Sequence, residues 1–303
     1  MLKVEGNKFQ LSKIGGNPIV SNFYATGGDE VISGGYHYHV FTSNGILECF
    51  NGPGNIEIYA IGGGGCGGLG WGTGVGMSTG GGGGAGELIY ISSLSIDGTI
   101  VVTLGVGGKG VNDLNNLPVD RDGGITTFGS YITAYGGGFG GCSQDSIHFV
   151  DDGNGSIGSG GGGGEVYNAG DGSGGISQTD PNYSMIMGFN GGRGTYDMSV
   201  YGGGGGGTTQ DGGSGKVNTG NGGDGTYISW LSGKYIGGGG CGGDCSGTNN
   251  FGGGSSGSYD SGFGGNGLQA TGGGGGGTSS REDTTDIYSG NGGSGYIILR
   301  YPV

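Results

Sequence analysis

Basic residues are scarce in this chain. Ten Lys and Arg stand against 24 Asp and Glu in 303 residues, a net charge of −14. They form no cluster, so a nucleic-acid backbone is excluded as the expected partner. The acids are scattered singly through turn-rich stretches, where their plainest role is solubility. Proline is nearly absent, with five residues. That excludes collagen, as does the lack of a strict glycine at every third position. No apolar run approaches the ~20 residues of a membrane helix, so no membrane insertion is expected. No segment carries a 3.6-residue apolar period, which leaves almost no α-helix. The first twenty residues, MLKVEGNKFQLSKIGGNPIV, contain no apolar core of a signal peptide. The expectation is synthesis in a host cytoplasm and release by other means, such as viral lysis.

Side chains for chemistry are equally thin. Only three histidines occur, and no GxSxG sits between a strand and a helix to make a nucleophile elbow. The carboxylate pairs Asp151–Asp152 and Glu282–Asp283 lie in polar stretches, where solvated acids are the default. No enzyme and no cofactor are expected. GGSGKVN at 212–218 offers Lys216, but Val217 replaces the Ser or Thr of a phosphate loop, and no helix follows. VDRDGG at 119–124 is half a calcium loop without its distal Glu, and reads as an Asp-rich turn. The five cysteines, Cys49, Cys66, Cys142, Cys241 and Cys245, are odd in number. CGGDC at 241–245 lacks the second ligand pair that zinc needs; a local disulfide and free thiols both stay open.

What the chain has is glycine. Gly 94 and Pro 5 make 99 of 303 residues, a level that usually marks disorder. Against that stand 29 aromatics (Tyr 17, Phe 10, Trp 2) and dense β-branched stretches at both ends, which disordered tails lack. Residues 36–60 alternate as strands in YHYHVF, GILECF and NIEIYAI, bounded by SNG and NGPG turns. GELIYISSLSIDGTIVVTLGVGG at 86–108 continues the pattern, with IDG as a hairpin turn. ITTFG and SYITAYGGG follow at 125–138, and GYIILRYPV closes the chain at 295–303. The expected fold is all-β: a jelly-roll or TNF-like sandwich from residues 29–135 plus 295–303. Residues 1–28 form an extended attachment segment, and 136–294 a glycine-rich insertion.

The glycine runs, among them 62–65, 80–84, 202–207, 237–240 and 272–277, have a packing logic. A polyglycine chain with three residues per turn points its N–H and C=O groups outward. Without Cβ atoms, neighbouring chains approach closely enough to bond backbone to backbone, and buried backbone groups need such partners. The insertion therefore reads as an up-and-down bundle of polyglycine-II helices, with Asn, Asp, Ser and Thr turns at both ends.

The order of these blocks, YHYHVFTSNGILEC, NIEIYAIGGGGCGG, GTIVVTLGVGGKG and GNGGSGYIILRYPV, resembles the glycine-rich domain of many phage and large-virus virion proteins. In that family a TFTssGtF-like strand leads to vevlvvGGGGgGg, then tVtvGaGG, then a closing GGsGiviiRY. The resemblance covers roughly residues 25–303. The layout is also similar to the polyglycine sandwiches of phage tail-fibre tip adhesins and to the glycine-rich domain of the anaplastic lymphoma kinase family. It implies a virion structural protein at the particle surface, attached through its N-terminal segment and assembled as a homo-oligomer, a trimer by analogy. The alternative is a cellular extracellular ligand-binding or matrix module.

Two groups of residues are singled out. His37 and His39 in YHYH share a strand face, so in a trimer six imidazoles could meet and hold a transition metal; the competing reading is two surface histidines. Tyr183, Phe189, Trp230, Tyr235, Phe251 and Tyr259, with Met185 and Met187, punctuate the loops between glycine runs. Aromatic side chains on loops held by a stiff scaffold suit a host receptor or glycan. Alternatively they cap the bundle ends and shield the glycine segments from water.

Overall fold

The computed structural model describes residues 23–303 apart from 73–77, 145–148, 151–152, 154–157, 167–169, 172–174, 176–187, 197–199, 216–219, 245–262 and 281–286; of residues 1–22 it gives the backbone of 2–5, 8–11, 13–14 and 17–18. The described residues contain no α-helix.

Ten strands build two sheets. They are β1 (Tyr24–Thr26), β2 (Asp29–Ser33), β3 (Tyr36–Phe41), β4 (Gly45–Phe50), β5 (Gly54–Ile61), β6 (Leu88–Ile96), β7 (Thr99–Thr103), β8 (Thr126–Phe128), β9 (Ile132–Ala134) and β10 (Tyr296–Pro302). The first sheet has the order β6-β5-β10-β3-β2 and the second β9-β8-β7-β4-β1. Every pair within them is antiparallel. The last strand returns to the centre of the first sheet, between β5 and β3.

Period-two alternation decides what each sheet buries. Phe41, Ile56, Ile58, Ala60, Ile297, Leu299 and Tyr301 from the first sheet meet Ala25, Leu47, Ile100, Val102, Phe128 and Ile132 from the second in one core. Burying each large apolar side chain contributes about 1.5–3 kcal/mol. Two expectations are corrected here. The Asp97–Gly98 turn is no hairpin, because β6 pairs with β5 and β7 with β4 and β8. Ile96 and Ile100 both face the core, one from each sheet, so the turn carries the chain across it. Tyr24–Thr26, placed by sequence in the attachment segment, is an edge strand of the second sheet.

Beside the sandwich lie the glycine segments, and their hydrogen bonds repeat every three residues. Gly81 and Gly84 donate to the carbonyls of Gly141 and Gly138. Gly82 and Ala85 donate to those of Gly203 and Gly206, and Gly80 and Gly83 to those of Thr278 and Gly275. The carbonyls of the same stretch accept from Gly68 and Gly65, from Gly162 and Ser159, and from Gly243 and Gly240. All these N···O distances are 2.7–3.0 Å. Residues 80–85 thus bond to six neighbouring segments, and each third residue returns to the same one. That is the signature of an extended helix with three residues per turn. Along five of the six neighbours the partner numbers fall as 80–85 rises; along Gly203–Gly206 they rise. The bundle is therefore mainly up-and-down.

YGGGGGG at 201–207 follows the same rule. Gly203 and Gly206 bond to Gly163 and Gly160, Gly204 and Gly207 to Gly213 and Gln210, and Gly202 and Gly205 to Gly243 and Gly240. Every residue of 62–70, 80–89 and 202–208 is buried. The bundle is wider than the sequence indicated. Besides segments of 136–294 it takes in 62–69, 80–87 and 104–124, which leave the sandwich between β5 and β6 and between β7 and β8. Strand pairs at its margins, such as Thr226–Ile228 with Lys234–Ile236, also escaped the sequence reading.

A side chain at position 204 has nowhere to go, because its Cβ would overlap the carbonyl of Asn221 on the adjacent segment. Gly204→Val is expected to cost about 3 kcal/mol or more, at the upper end for overpacking. Thermal unfolding checks this. Gly98, on the exposed turn with open space around it and a φ of +72°, serves as the comparison position, where Gly98→Asn, the side chain that best tolerates that conformation, is expected to cost less than about 1 kcal/mol.

Candidate binding surface

The hairpin Thr226–Ile236 puts sequence-selected aromatics on its two faces. Trp230 is 9% exposed and packs inward with Ile228 and Ile236 on the outer face of the first sheet, against Tyr38, Ile61, Leu88, Tyr296 and Ile298. Its ring stands edge-on to Tyr59 at 4.9 Å and to Tyr38 at 6.1 Å. Tyr59 in turn stacks on Tyr90 at 4.4 Å. The Arg300 guanidinium lies 4.3 Å from the ring centres of both Trp230 and Tyr36, and donates from Nη2 to Glu57 Oε2 at 2.8 Å.

This box of rings has the makings of a cation site, but the chain's own Arg300 fills it. Trp230 therefore anchors bundle to sandwich and offers no surface to a partner. Beside it, Lys234 spans the Tyr296 ring at 4.4 Å and donates to the Ala270 carbonyl at 2.7 Å. Burial lowers the Lys234 pKa and pushes the Tyr296 hydroxyl up to about 12.

On the opposite face of the hairpin, Tyr235 lies 41% exposed beside Tyr227, 53% exposed, with ring centres 4.8 Å apart. Sequence reasoning chose Tyr235 and missed Tyr227. The signal was there: TYIS and KYIG alternate around the WLSG turn, which makes the two tyrosines cross-strand partners. A second exposed pair, Phe263 and Tyr288, stacks in parallel at 5.8 Å; it too was missed, because these residues are 25 apart and meet only through a bridge between segments. Phe189 is half-buried, and its backbone is bonded to Ser159 and Gly160 inside the bundle. Tyr183, Met185, Met187, Phe251 and Tyr259 lie outside the described residues.

His37 and His39 do share a face, but it is the inner one. His39 is 1% exposed, with Nδ1 2.8 Å from the Gly27 carbonyl and Nε2 3.4 Å from the Tyr301 hydroxyl. Tyr301 stacks between the two imidazoles, at 5.2 Å from His37 and 5.7 Å from His39. His39 is thus enclosed by its own chain, while His37 is half-buried. Among the described residues no group of three or more His, Cys, Asp or Glu is placed to hold a metal. Asp122 accepts from the Phe139 N–H at 3.0 Å, a bond to a segment 17 residues further along the chain and not one within its own loop. Cys66 is fully buried, and its thiol pKa is raised well above the usual range, first by burial. Cys245, His148 and Lys216 fall outside the described residues.

The fold and surface define a class: an all-β protein in which a two-sheet sandwich carries a backbone-bonded glycine bundle. The family model for the glycine-rich domain matches residues 41–302, and the chain belongs to that family. No curated protein matches the chain.

Two outcomes follow from this geometry. Trp230→Ala removes a buried anchor and is expected to cost about 3–5 kcal/mol, seen as a lower denaturant midpoint and faster amide exchange in residues 226–236. Burial holds the His39 pKa below its ordinary value, despite opposing effects of the Gly27 carbonyl and Glu30. The unfolded chain therefore takes up this proton first. Stability is full above about pH 6.5 and falls as pH drops toward the folded-state pKa, by at most ~1.4 kcal/mol per pH unit. Urea titrations between pH 7.5 and 5.5 should show a shallower slope for His39→Gln.

Proposed function

We propose that this protein is a non-enzymatic structural component of a virus particle, a capsid-surface, fibre or spike element that holds its glycine bundle outward. The observation that carries the reading is the six-neighbour bonding of residues 80–85 and 202–207. Such a core resists bending in every direction and fixes whatever loops stand at its ends. That is a scaffold's property. The block order shared with virion glycine-rich domains supports the particle setting over the cellular one.

We read the sandwich as a jelly roll of the TNF-like kind. In support, β3, β4 and β5 alternate between the sheets and β10 returns to the middle of the first. On that analogy the assembly is a homotrimer at the particle surface. Residues 1–22 precede the first sandwich strand and form the attachment segment toward other virion proteins. The protein is made in the host cytoplasm and binds no nucleic acid. The exposed pairs Tyr227–Tyr235 and Phe263–Tyr288 are the best-supported contacts for a host receptor or glycan, since paired rings bind with little loss of side-chain freedom.

Immunogold labelling of particles released from cells expressing the gene in its natural genome tests the reading. Gold on the outside of assembled particles is expected; label confined to cell surface or matrix overturns it. For the contact residues, Tyr227→Ala with Tyr235→Ala should weaken adhesion of the purified protein to host cells about tenfold or more, equivalent to ~1.4 kcal/mol. Unchanged adhesion would remove this hairpin from the receptor site.

A further inference from the structure

A segment inside the bundle, such as 80–85, has six neighbours. Segments at the margin have fewer, so some of their backbone donors face outward. The trans peptide identifies four of them, because it sends the N–H of one residue opposite to the C=O of the residue before it. The carbonyls of Gly138, Phe189, Gly290 and Gly293 point inward, accepting from Gly84, Gly160, Gly67 and Gly64. The N–H groups of Phe139, Asn190, Asn291 and Ser294 therefore point away from the interior.

All four meet a side chain. Asp122 Oδ1 accepts from Phe139 at 3.0 Å, Asp211 Oδ1 from Asn190 at 2.8 Å, Asn266 Oδ1 from Asn291 at 2.8 Å and Gln269 Oε1 from Ser294 at 3.4 Å. Each acceptor is the carboxylate or amide oxygen of an exposed residue. Gly212 and Gly267, which follow two of these acceptors, donate back to the Asn190 and Asn291 carbonyls at 2.8 Å. Asn291 Oδ1 in turn accepts from the Gly110 N–H at 2.8 Å, on the segment beyond. Side-chain oxygens thus stand where a further glycine segment would present its carbonyls.

Along 263–269 and 288–294 the arrangement repeats. Phe263 bridges Tyr288 in parallel, and three and six residues on, Asn266 meets Asn291 and Gln269 meets Ser294. With three residues per turn, positions 288, 291 and 294 fall on one face. They reach the surface, whereas Ser289, Gly290, Gly292, Gly293 and Gly295 are buried. The inward positions need bare Cα atoms: a Cβ on Gly290 or Gly292 would overlap the carbonyl of Gly265 or Gly64. The outward row carries side chains instead, and their Cβ atoms hold off an approaching backbone. An unpaired sheet edge is a template for another chain, and a segment that bonds in several directions has more such edges than a strand.

We propose that Asp122, Asp211, Asn266, Gln269 and Asn291 are stoppers, which close the margin of the bundle and keep it from adding glycine segments of a second copy. The surface that would otherwise join copies is the flank of 263–269 with 288–294, and its partner is the same flank of another chain. The bundle thereby stays a closed unit whatever assembly the chain enters. The proposal stands independently of the viral reading.

Light scattering and hydrogen–deuterium exchange on the full chain, at a low and a much higher concentration, test it. Asn266→Gly, Gln269→Gly and Asn291→Gly are combined to bare the flank. The expected result is a mass that grows with concentration to at least double that of the unmodified chain. Amides 291 and 294 should then exchange about tenfold or more slower at the higher concentration, while the unmodified chain shows neither change. Residues 80–85 should keep their protection in both proteins. Leu268→Gly, exposed on the same segment but outside the capping row, should behave as the unmodified chain does. A triple variant that keeps the unmodified mass overturns the proposal, as does equal growth in Leu268→Gly. Loss of protection in residues 80–85 also overturns it, because these side chains would then support the core instead of closing its margin.

Discussion

The structure depends on the absence of one atom. Where glycine stands, no Cβ separates neighbouring chains, and carbonyls and amides of adjacent segments come within 2.7–3.3 Å of one another. A β-sheet bonds each strand to two neighbours; here a segment such as 80–85 bonds to six. Ordering glycine costs more backbone entropy than ordering any other residue. Six-sided bonding offsets it by leaving few buried backbone groups unsatisfied. The interior of the bundle is consequently polar in composition yet closed to water, and its specificity is geometric. A methyl group at most of its positions would strike a neighbouring carbonyl.

Such a core cannot start or finish itself, and the sandwich supplies both ends. The excursions 62–87 and 104–125 leave and re-enter the two sheets, and the long excursion after β9 returns as β10 in the centre of the first sheet. The register of the sheets thereby sets the positions from which glycine segments depart. The docking of Trp230, clamped among Tyr36, Tyr38, Tyr59 and Arg300, fixes the bundle's flank to the sandwich. Side-chain packing and backbone packing meet at that contact, which explains why an exposed-looking loop tryptophan proved to be core.

Much was legible beforehand. Alternation in YHYHVF, GILECF and NIEIYAI identified strands, and so did the continuous apolar run YIILRYP, which is buried on both faces at the centre of the first sheet. The glycine runs identified a bundle because nothing else offsets their ordering cost. Less legible was the fate of individual aromatics. Trp230 and Tyr235 sit five residues apart on one hairpin, and one is buried while the other is exposed. Linear sequence gives a face but not which face meets the sheet. His39 likewise looked like half of an exposed pair until β10 brought Tyr301 against it.

By itself the sequence determined the all-β class, the family blocks, the near absence of helix and the need for glycine to pack on glycine. These follow from local periodicity and from what a residue without a Cβ can do. Only the tertiary structure decided which glycine segments neighbour which, how the Asp97–Gly98 turn crosses between sheets, and which rings reach water. Those outcomes rest on long-range pairing, where segments of nearly identical composition compete for the same neighbours. Composition cannot rank them; the positions fixed by the sandwich do.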